Sequence, residues 1–233
     1  MILINHTRFG KGEEIIFLHG WGGGVDSFIG LAKQLSNHFK VTLVDFYGHG
    51  KTPFPDKVLT LDDYVKSVVD IIQHYKMKSV TLIAHSFGGR VALKLAYKYG
   101  YMLDKLILID SAGIRPRRGL KYYSKVLLHK TLKKLKIKRQ MGSADYRKLN
   151  GVQKRTFVNI VNEDLTDILN QITLPTLIIW GNKDKETPIY MARKLHRKLC
   201  SSGLVVIKEA GHFCYLEKPA KVLIIIRSFL SEG

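Results

Sequence analysis

Ten consecutive residues constrain this chain most: Val80-Thr81-Leu82-Ile83-Ala84-His85-Ser86-Phe87-Gly88-Gly89. Residues 80–84 form an apolar run too short for a helix, the pattern of a strand buried on both faces of a sheet. After it Val91, Ala92, Leu95, Ala96 and Tyr99 recur at helical spacing until Gly100 offers a stop. Ser86 therefore falls at a strand-to-helix junction. A serine on such a sharp turn projects its hydroxyl out of the sheet, and the next backbone N–H, that of Phe87, aims at the same point. The two backbones approach so closely that only very small residues fit two positions before and after it, here Ala84 and Gly88. A serine that merely caps a helix would leave the same residues, and the rest of the chain has to decide between the two.

The stretch resembles the nucleophile elbow of the α/β-hydrolase family, Gly-x-Ser-x-Gly, with Ala84 in place of the first glycine. Further motifs similar to that family follow. The buried-strand run Ile15-Ile16-Phe17-Leu18 ends in His19-Gly20-Trp21-Gly22-Gly23-Gly24. The resemblance implies that the N–H of Trp21 is one oxyanion donor and that of Phe87 the other, and His19, Gly20, Gly22 and His85 beside them are the expected substrate-binding residues. Gly181-Asn182-Lys183-Asp184, four residues ahead of Pro188, matches the family's acid-bearing turn, so Asp184 inherits the triad acid. Gly211-His212 after the last strand matches the general base. Asp110, after another strand, is the rival acid. Ser86, Asp184 and His212 keep the chain order expected of this fold.

Glycine-rich loops also cradle phosphates, but residues 20–24 lack the Lys-Ser/Thr of a P-loop. Gly50-Lys51-Thr52 imitates the end of that motif, yet its required first glycine falls on Asp45. An NTPase is excluded. Residues 45–52 instead resemble the family's Asp-x-x-Gly-x-Gly-x-Ser/Thr loop, whose role there is mainly structural.

Strand runs at 41–44, 106–109, 174–181 and 204–207 alternate with helical patterns. One such pattern is Phe28, Leu31, Ala32 and Leu35 behind Asp26 as N-cap; a second is Val65, Val68, Val69 and Ile72 behind Thr60; a third is Val222, Ile225, Ile226 and Phe229 after Pro219. Thr187-Pro188 reads as the N-cap and first residue of a further helix, and residues 2–7 as an opening strand. The alternation gives the fold class α/β, with a mostly parallel central sheet and helices on both faces. The resemblance adds the α/β-hydrolase fold and a small helical cap. The expected organisation is a core over residues 1–112, a helical basic cap over 113–171 holding two to four helices, and the rest of the core over 172–233.

Composition adds one unusual item. Of 233 residues, 38 are Lys or Arg and 19 Asp or Glu, a net charge of +19. Residues 115–139 hold eleven Lys or Arg and no acid, with Leu120, Tyr123, Leu127, Leu128, Leu132 and Leu135 at roughly helical spacing. This basic amphipathic segment favours anionic partners without naming one. Cys200 and Cys214 are too few for a disulfide framework and lack the spacing of a zinc site. With no membrane-length apolar stretch and no signal-peptide core, a cytoplasmic location is expected.

Together these features predict a cofactor-free, metal-free serine hydrolase that cleaves carboxylic esters through an acyl-enzyme, carboxylesterase-like or lipase-like, on small or anionic substrates. Peripheral contact with an anionic membrane is a further expectation. No specific nucleic acid and no obligate protein partner is expected. Two other functions fit the sequence: a carbon–carbon bond hydrolase of the ring-cleavage-product type, and a hydrolase-like module that binds anionic surfaces with its site idle.

Overall fold

A computed structural model describes residues 4–115 and 149–231. Residues 116–148, which carry most of the basic segment and the first part of the expected cap, lie outside the described residues.

In chain order the elements are β1 (His6–Gly10), β2 (Glu13–Leu18), α1 (Ile29–Leu35), β3 (Phe39–Val44), α2 (Leu61–His74), β4 (Val80–His85), α3 (Phe87–Tyr99) and β5 (Leu103–Ile109). There follow α4 (Gly151–Asn162), β6 (Thr176–Gly181), α5 (Tyr190–Lys198), β7 (Ser202–Ile207), the short α6 (Cys214–Glu217) and α7 (Pro219–Ser231). The strands make one 7-stranded sheet in the order β1-β3-β2-β4-β5-β6-β7. β1 runs antiparallel to β3, and every other pairing is parallel.

Alternation along each strand builds two cores. Ile16, Leu18, Leu82, Leu106 and Ile178 face α2, α3 and α5, whereas Ile15, Phe17, Ile83, Ile107 and Ile179 face α1 and α7. The central strands carry apolar side chains on both faces because helices cover both. Among the described residues no helix is long and apolar enough to cross a membrane.

Three local expectations need correction. β1 begins at His6, with residues 4 and 5 of the expected strand outside it and residues 2 and 3 outside the described residues; just before it, the Asn5 N–H donates to Thr52 Oγ1 at 2.8 Å and its carbonyl accepts from Asp45 N at 2.8 Å. Asp26 caps nothing: it lies exposed in a short 3-10 turn, and α1 starts behind Phe28 without a side-chain cap. The helix expected from Thr187-Pro188 starts only at Tyr190, because the Thr187 hydroxyl is directed to Asp184 Oδ2 at 2.6 Å. Thr60, by contrast, caps α2 as expected, in a reciprocal capping box with Asp63.

Between 113 and 171 the described residues contain α4. Its Thr156 Oγ1 accepts from Leu59 N at 2.8 Å in a buried contact, and Ile160 joins the core on the α2/α3 side. At its far end Glu163 pairs with Lys94 of α3 at 2.6 Å, and Lys94 also reaches Asp62 of α2 at 2.9 Å. The helix is thereby tied to the sheet domain at its middle and at its C-terminal end.

Candidate active site

β2, β4, β5 and β6 end at the same edge of the sheet, where open α/β sheets carry their clefts. At the end of β4 the chain turns sharply. Ser86 adopts φ 49° and ψ −111°, a left-handed conformation that an L-residue holds only when its surroundings dictate it. They do so here. Ser86 N donates to Ile109 O at 3.1 Å, and Ser86 O accepts from Gly89 N at 3.0 Å and Ala112 N at 2.9 Å. α3 then runs so close to β2 that a Cβ on Gly88 would lie 2.1 Å from Leu18 O.

The Ser86 hydroxyl meets His212 Nε2 at 2.9 Å, and His212 Nδ1 meets Asp184 Oδ2 at 2.8 Å. Asp184 is held by further donors: Oδ1 accepts from Glu186 N at 2.8 Å and Thr187 N at 3.0 Å. Thr187 is in turn fixed from below, its carbonyl accepting from the indole of fully buried Trp180 at 2.7 Å. His85, just before the serine, donates its Nε2–H to the His212 carbonyl at 2.7 Å and so ties the histidine loop to the elbow.

The electrostatics agree with these contacts. Burial alone would raise the Asp184 carboxyl, but hydrogen bonds from His212 and Thr187 hold it below the usual carboxylate value. Burial pulls the His212 imidazole down, yet Asp184, assisted by Glu186 and Asp110, lifts it above its ordinary 6.5. Asp110, the rival acid, is fully buried and takes its hydrogen bonds elsewhere, from Gly181 N at 2.8 Å and Cys214 N at 3.4 Å. Burial and the neighbouring Asp184 push it up to about 7. Asp110 makes no hydrogen bond to His212, so it is Asp184, not Asp110, that stands against the imidazole.

Among the described residues, neither Trp21 N–H nor Phe87 N–H has an acceptor in the protein. Gly20, Trp21, Gly22, His85, Ser86 and His212 all line one cavity of about 450 Å³, the size of a small-molecule site. His19 does not line it. His19 is buried, its Nε2 accepts from Phe46 N at 3.0 Å and its Nδ1–H donates to Gly20 O at 2.7 Å, so the ring shapes the loop from behind. Burial drives it down to about 4, which keeps it in the neutral form those bonds require.

The loop around Asp45 has a comparable bracing role. Its carboxylate accepts from Val25 N at 2.7 Å, Asn5 Nδ2 at 2.7 Å and Lys51 N at 2.9 Å, joining the Gly20–Gly24 loop to the one that follows β3. Sequence reasoning missed Phe54, Leu149, Gln153, Glu186, Phe213 and Tyr215, which also line the cavity. Phe213 and Tyr215 were reachable as neighbours of His212. The others come from turns and from α4, where no spacing rule marks them.

Comparison with known proteins agrees with this architecture. The family model described as alpha/beta hydrolase fold matches residues 14–122 and 118–219. A pimeloyl-[acyl-carrier protein] methyl ester esterase of Aeromonas salmonicida is 27% identical, over 97% of this chain and 99% of that protein. A 2-hydroxy-6-oxo-6-(2'-aminophenyl)hexa-2,4-dienoic acid hydrolase of Metapseudomonas resinovorans is 26% identical, over 97% of this chain and 88% of that protein. Among solved structures, an esterase from Exiguobacterium antarcticum superimposes with a TM-score of 0.82 at 25% identity, covering 98% of this chain and 96% of that one. With its mostly parallel sheet, its strained elbow at Ser86 and a family match over most of its length, the chain belongs to the α/β-hydrolase fold family.

Proposed function

We propose that the protein is a serine hydrolase of carboxylic esters. The observation that carries this reading is the continuous relay from Ser86 Oγ through His212 to Asp184, with links of 2.9 and 2.8 Å, opening onto a cavity beside two unpaired backbone amides. In the forward step His212 Nε2 takes the Ser86 proton while Oγ bonds to the acyl carbon. The resulting oxyanion is held by the N–H groups of Trp21 and Phe87. The C–O bond to the alcohol breaks as His212 returns the proton to the departing oxygen, leaving the acyl group on Ser86. Water then repeats the cycle and releases the acid. Asp184 holds the tautomer and stabilises the imidazolium, and Leu149, just before α4, and Gln153, in its first turn, contribute the described part of a cap to the cavity lining.

The test is to label the protein with a fluorophosphonate and to measure turnover of short-chain p-nitrophenyl esters. Modification at Ser86 together with ester turnover is the expected result; labelling elsewhere, or none, counts against it. A carbon–carbon bond hydrolase is the second reading, supported by the dienoic acid hydrolase relative. Less in its favour is the cavity lining: among the described residues it contains no Lys or Arg to meet a substrate carboxylate. A ring-cleavage dienoate turned over faster than simple esters would reverse the order. An anionic partner for the outer surface is part of the proposal too. Arg115, Lys194, Arg197 and Lys198, with Tyr190, line a separate concavity of about 440 Å³, and Arg115 is where the acid-free basic segment begins.

Activity should depend on pH with a defined sign. His212 accepts the Ser86 proton only when neutral, and its site lifts it above 6.5. Ester kcat/KM is therefore expected to fall on acidification through a midpoint above 6.5. A midpoint clearly below that value would show that the Asp184 contact is not maintained in solution.

A further inference from the structure

Glu186 is the one carboxylate lining the cavity among the described residues, apart from any contribution of the relay itself. Its backbone N–H donates to Asp184 Oδ1 at 2.8 Å, so the hydrogen bond that orients the acid also fixes where the Glu186 side chain starts. Its Oε2 lies 3.5 Å from His212 Nε2, the nitrogen that also meets Ser86 Oγ. Among the described residues no Lys or Arg comes within ion-pair distance of it. Of the other ionisable lining residues, burial holds His49 and His85 toward the neutral form and raises the Tyr215 phenol, and the fourth is His212 itself. The mouth of the cavity thus carries one negative charge with no Lys or Arg paired to it among the described residues, two-thirds exposed, at a known place relative to the reacting atoms.

That place has a chemical meaning if the esterase reading holds, and the inference rests on that reading. In a serine hydrolase the imidazole Nε2 must hand its proton to the departing alcohol oxygen, which therefore has to come within about 3 Å of Nε2. The oxyanion points the other way, toward Trp21 and Phe87. A carboxylate oxygen 3.5 Å from Nε2 is therefore within reach of the departing alcohol oxygen, which must approach the same nitrogen. We infer that Glu186 is a specificity-determining residue that selects the alcohol half of the ester: it admits neutral or cationic alcohols and discourages anionic ones. The anionic preference suggested by the basic segment would then apply to the acyl half or to the outer surface, not to the leaving group. Two charges about 5 Å apart in a mouth open to water change affinity by about fivefold.

Three butyrate esters of similar size test this: butyrylcholine, its neutral isostere 3,3-dimethylbutyl butyrate, and the butyrate ester of 3-hydroxypropanoate. Each is measured with the wild type, Glu186→Gln and Glu186→Arg, and kcat/KM is normalised to the neutral ester for each protein. The wild type is expected to favour the cationic ester about fivefold and to disfavour the anionic ester by a similar factor. Glu186→Gln should bring both ratios to within about twofold of unity, and Glu186→Arg should invert their order. Wild-type ratios near unity, or ratios that persist in both variants, overturn the inference while leaving the esterase reading intact. Failure of the wild type to turn over the neutral ester overturns the esterase reading and the inference together.

Discussion

Ser86→Ala is expected to reduce kcat toward a simple butyrate ester by about 10⁶-fold, the scale set when a nucleophile is removed from a cooperating triad. Folding should be unaffected. The Ser86 hydroxyl has one hydrogen-bond partner among the described residues, His212 Nε2, and alanine is no more strained than serine at φ 49°. The thermal midpoint should therefore stay within about 2 °C, as expected for the loss of one partly exposed hydrogen bond. The same logic distinguishes the two acids. Asp184→Asn puts an amide where His212 Nδ1–H needs an acceptor with negative charge, and a loss of about 10⁴-fold is expected. Asp110→Asn keeps an oxygen for Gly181 N and leaves the His212 contact untouched, so less than about tenfold should be lost. Stopped assays on the three purified variants decide the matter. Near-wild-type turnover by Ser86→Ala would end the nucleophile assignment, and a larger loss for Asp110→Asn than for Asp184→Asn would exchange the roles of the two carboxyls.

The sequence made the sheet and the relay legible for the same reason. Buried parallel strands need unbroken apolar runs, and in this fold the residues that follow them are the ones delivered to the cleft. Ser86, Asp184 and His212 each sit at such an exit, far apart in the chain yet adjacent in space. Side-chain identity in turns was harder to read. Thr187 resembles an N-cap, but the competing acceptor, Asp184 Oδ2, takes its hydroxyl and postpones α5 to Tyr190. Asp26 looks like a cap for α1, yet Ser27 Oγ accepts the Gly24 N–H and the chain passes through a 3-10 turn first. His19 carries the family motif but points into the protein, because both ring nitrogens are committed to backbone partners. Glu186 was invisible as a site residue: an acid in a polar turn next to lysines reads as solvated surface until its distance to His212 is known. No pattern of hydrophobicity encodes that distance.

Gly88→Ala is expected to be among the most damaging single methyls that can be added near the site. The new Cβ would stand 2.1 Å from Leu18 O and 2.8 Å from His19 O, both backbone atoms of β2 and the loop it feeds. Neither can swing aside as the end of a long side chain would. Relief requires α3 to lift off β2, and that movement separates the Phe87 amide from the Trp21 amide, the two proposed oxyanion donors. A loss of about 3 kcal/mol, the upper end of the usual range, follows for such overpacking against fixed backbone, or about 6–12 °C in the thermal midpoint for a chain of this size. The fraction that remains folded should show a lower kcat as well. Gly30→Ala is the matched control: it lies in α1 with nothing within 4 Å of the added carbon, and should gain about 0.5–1 kcal/mol from reduced chain entropy. The pair is informative because the elbow tolerates a methyl on its other side, where Ala84 is buried in β4 at the position two before the serine. The close approach that demands a hydrogen is therefore between α3 and β2, and equal melting temperatures for Gly88→Ala and wild type would mean that this approach is looser than the 2.1 Å contact requires.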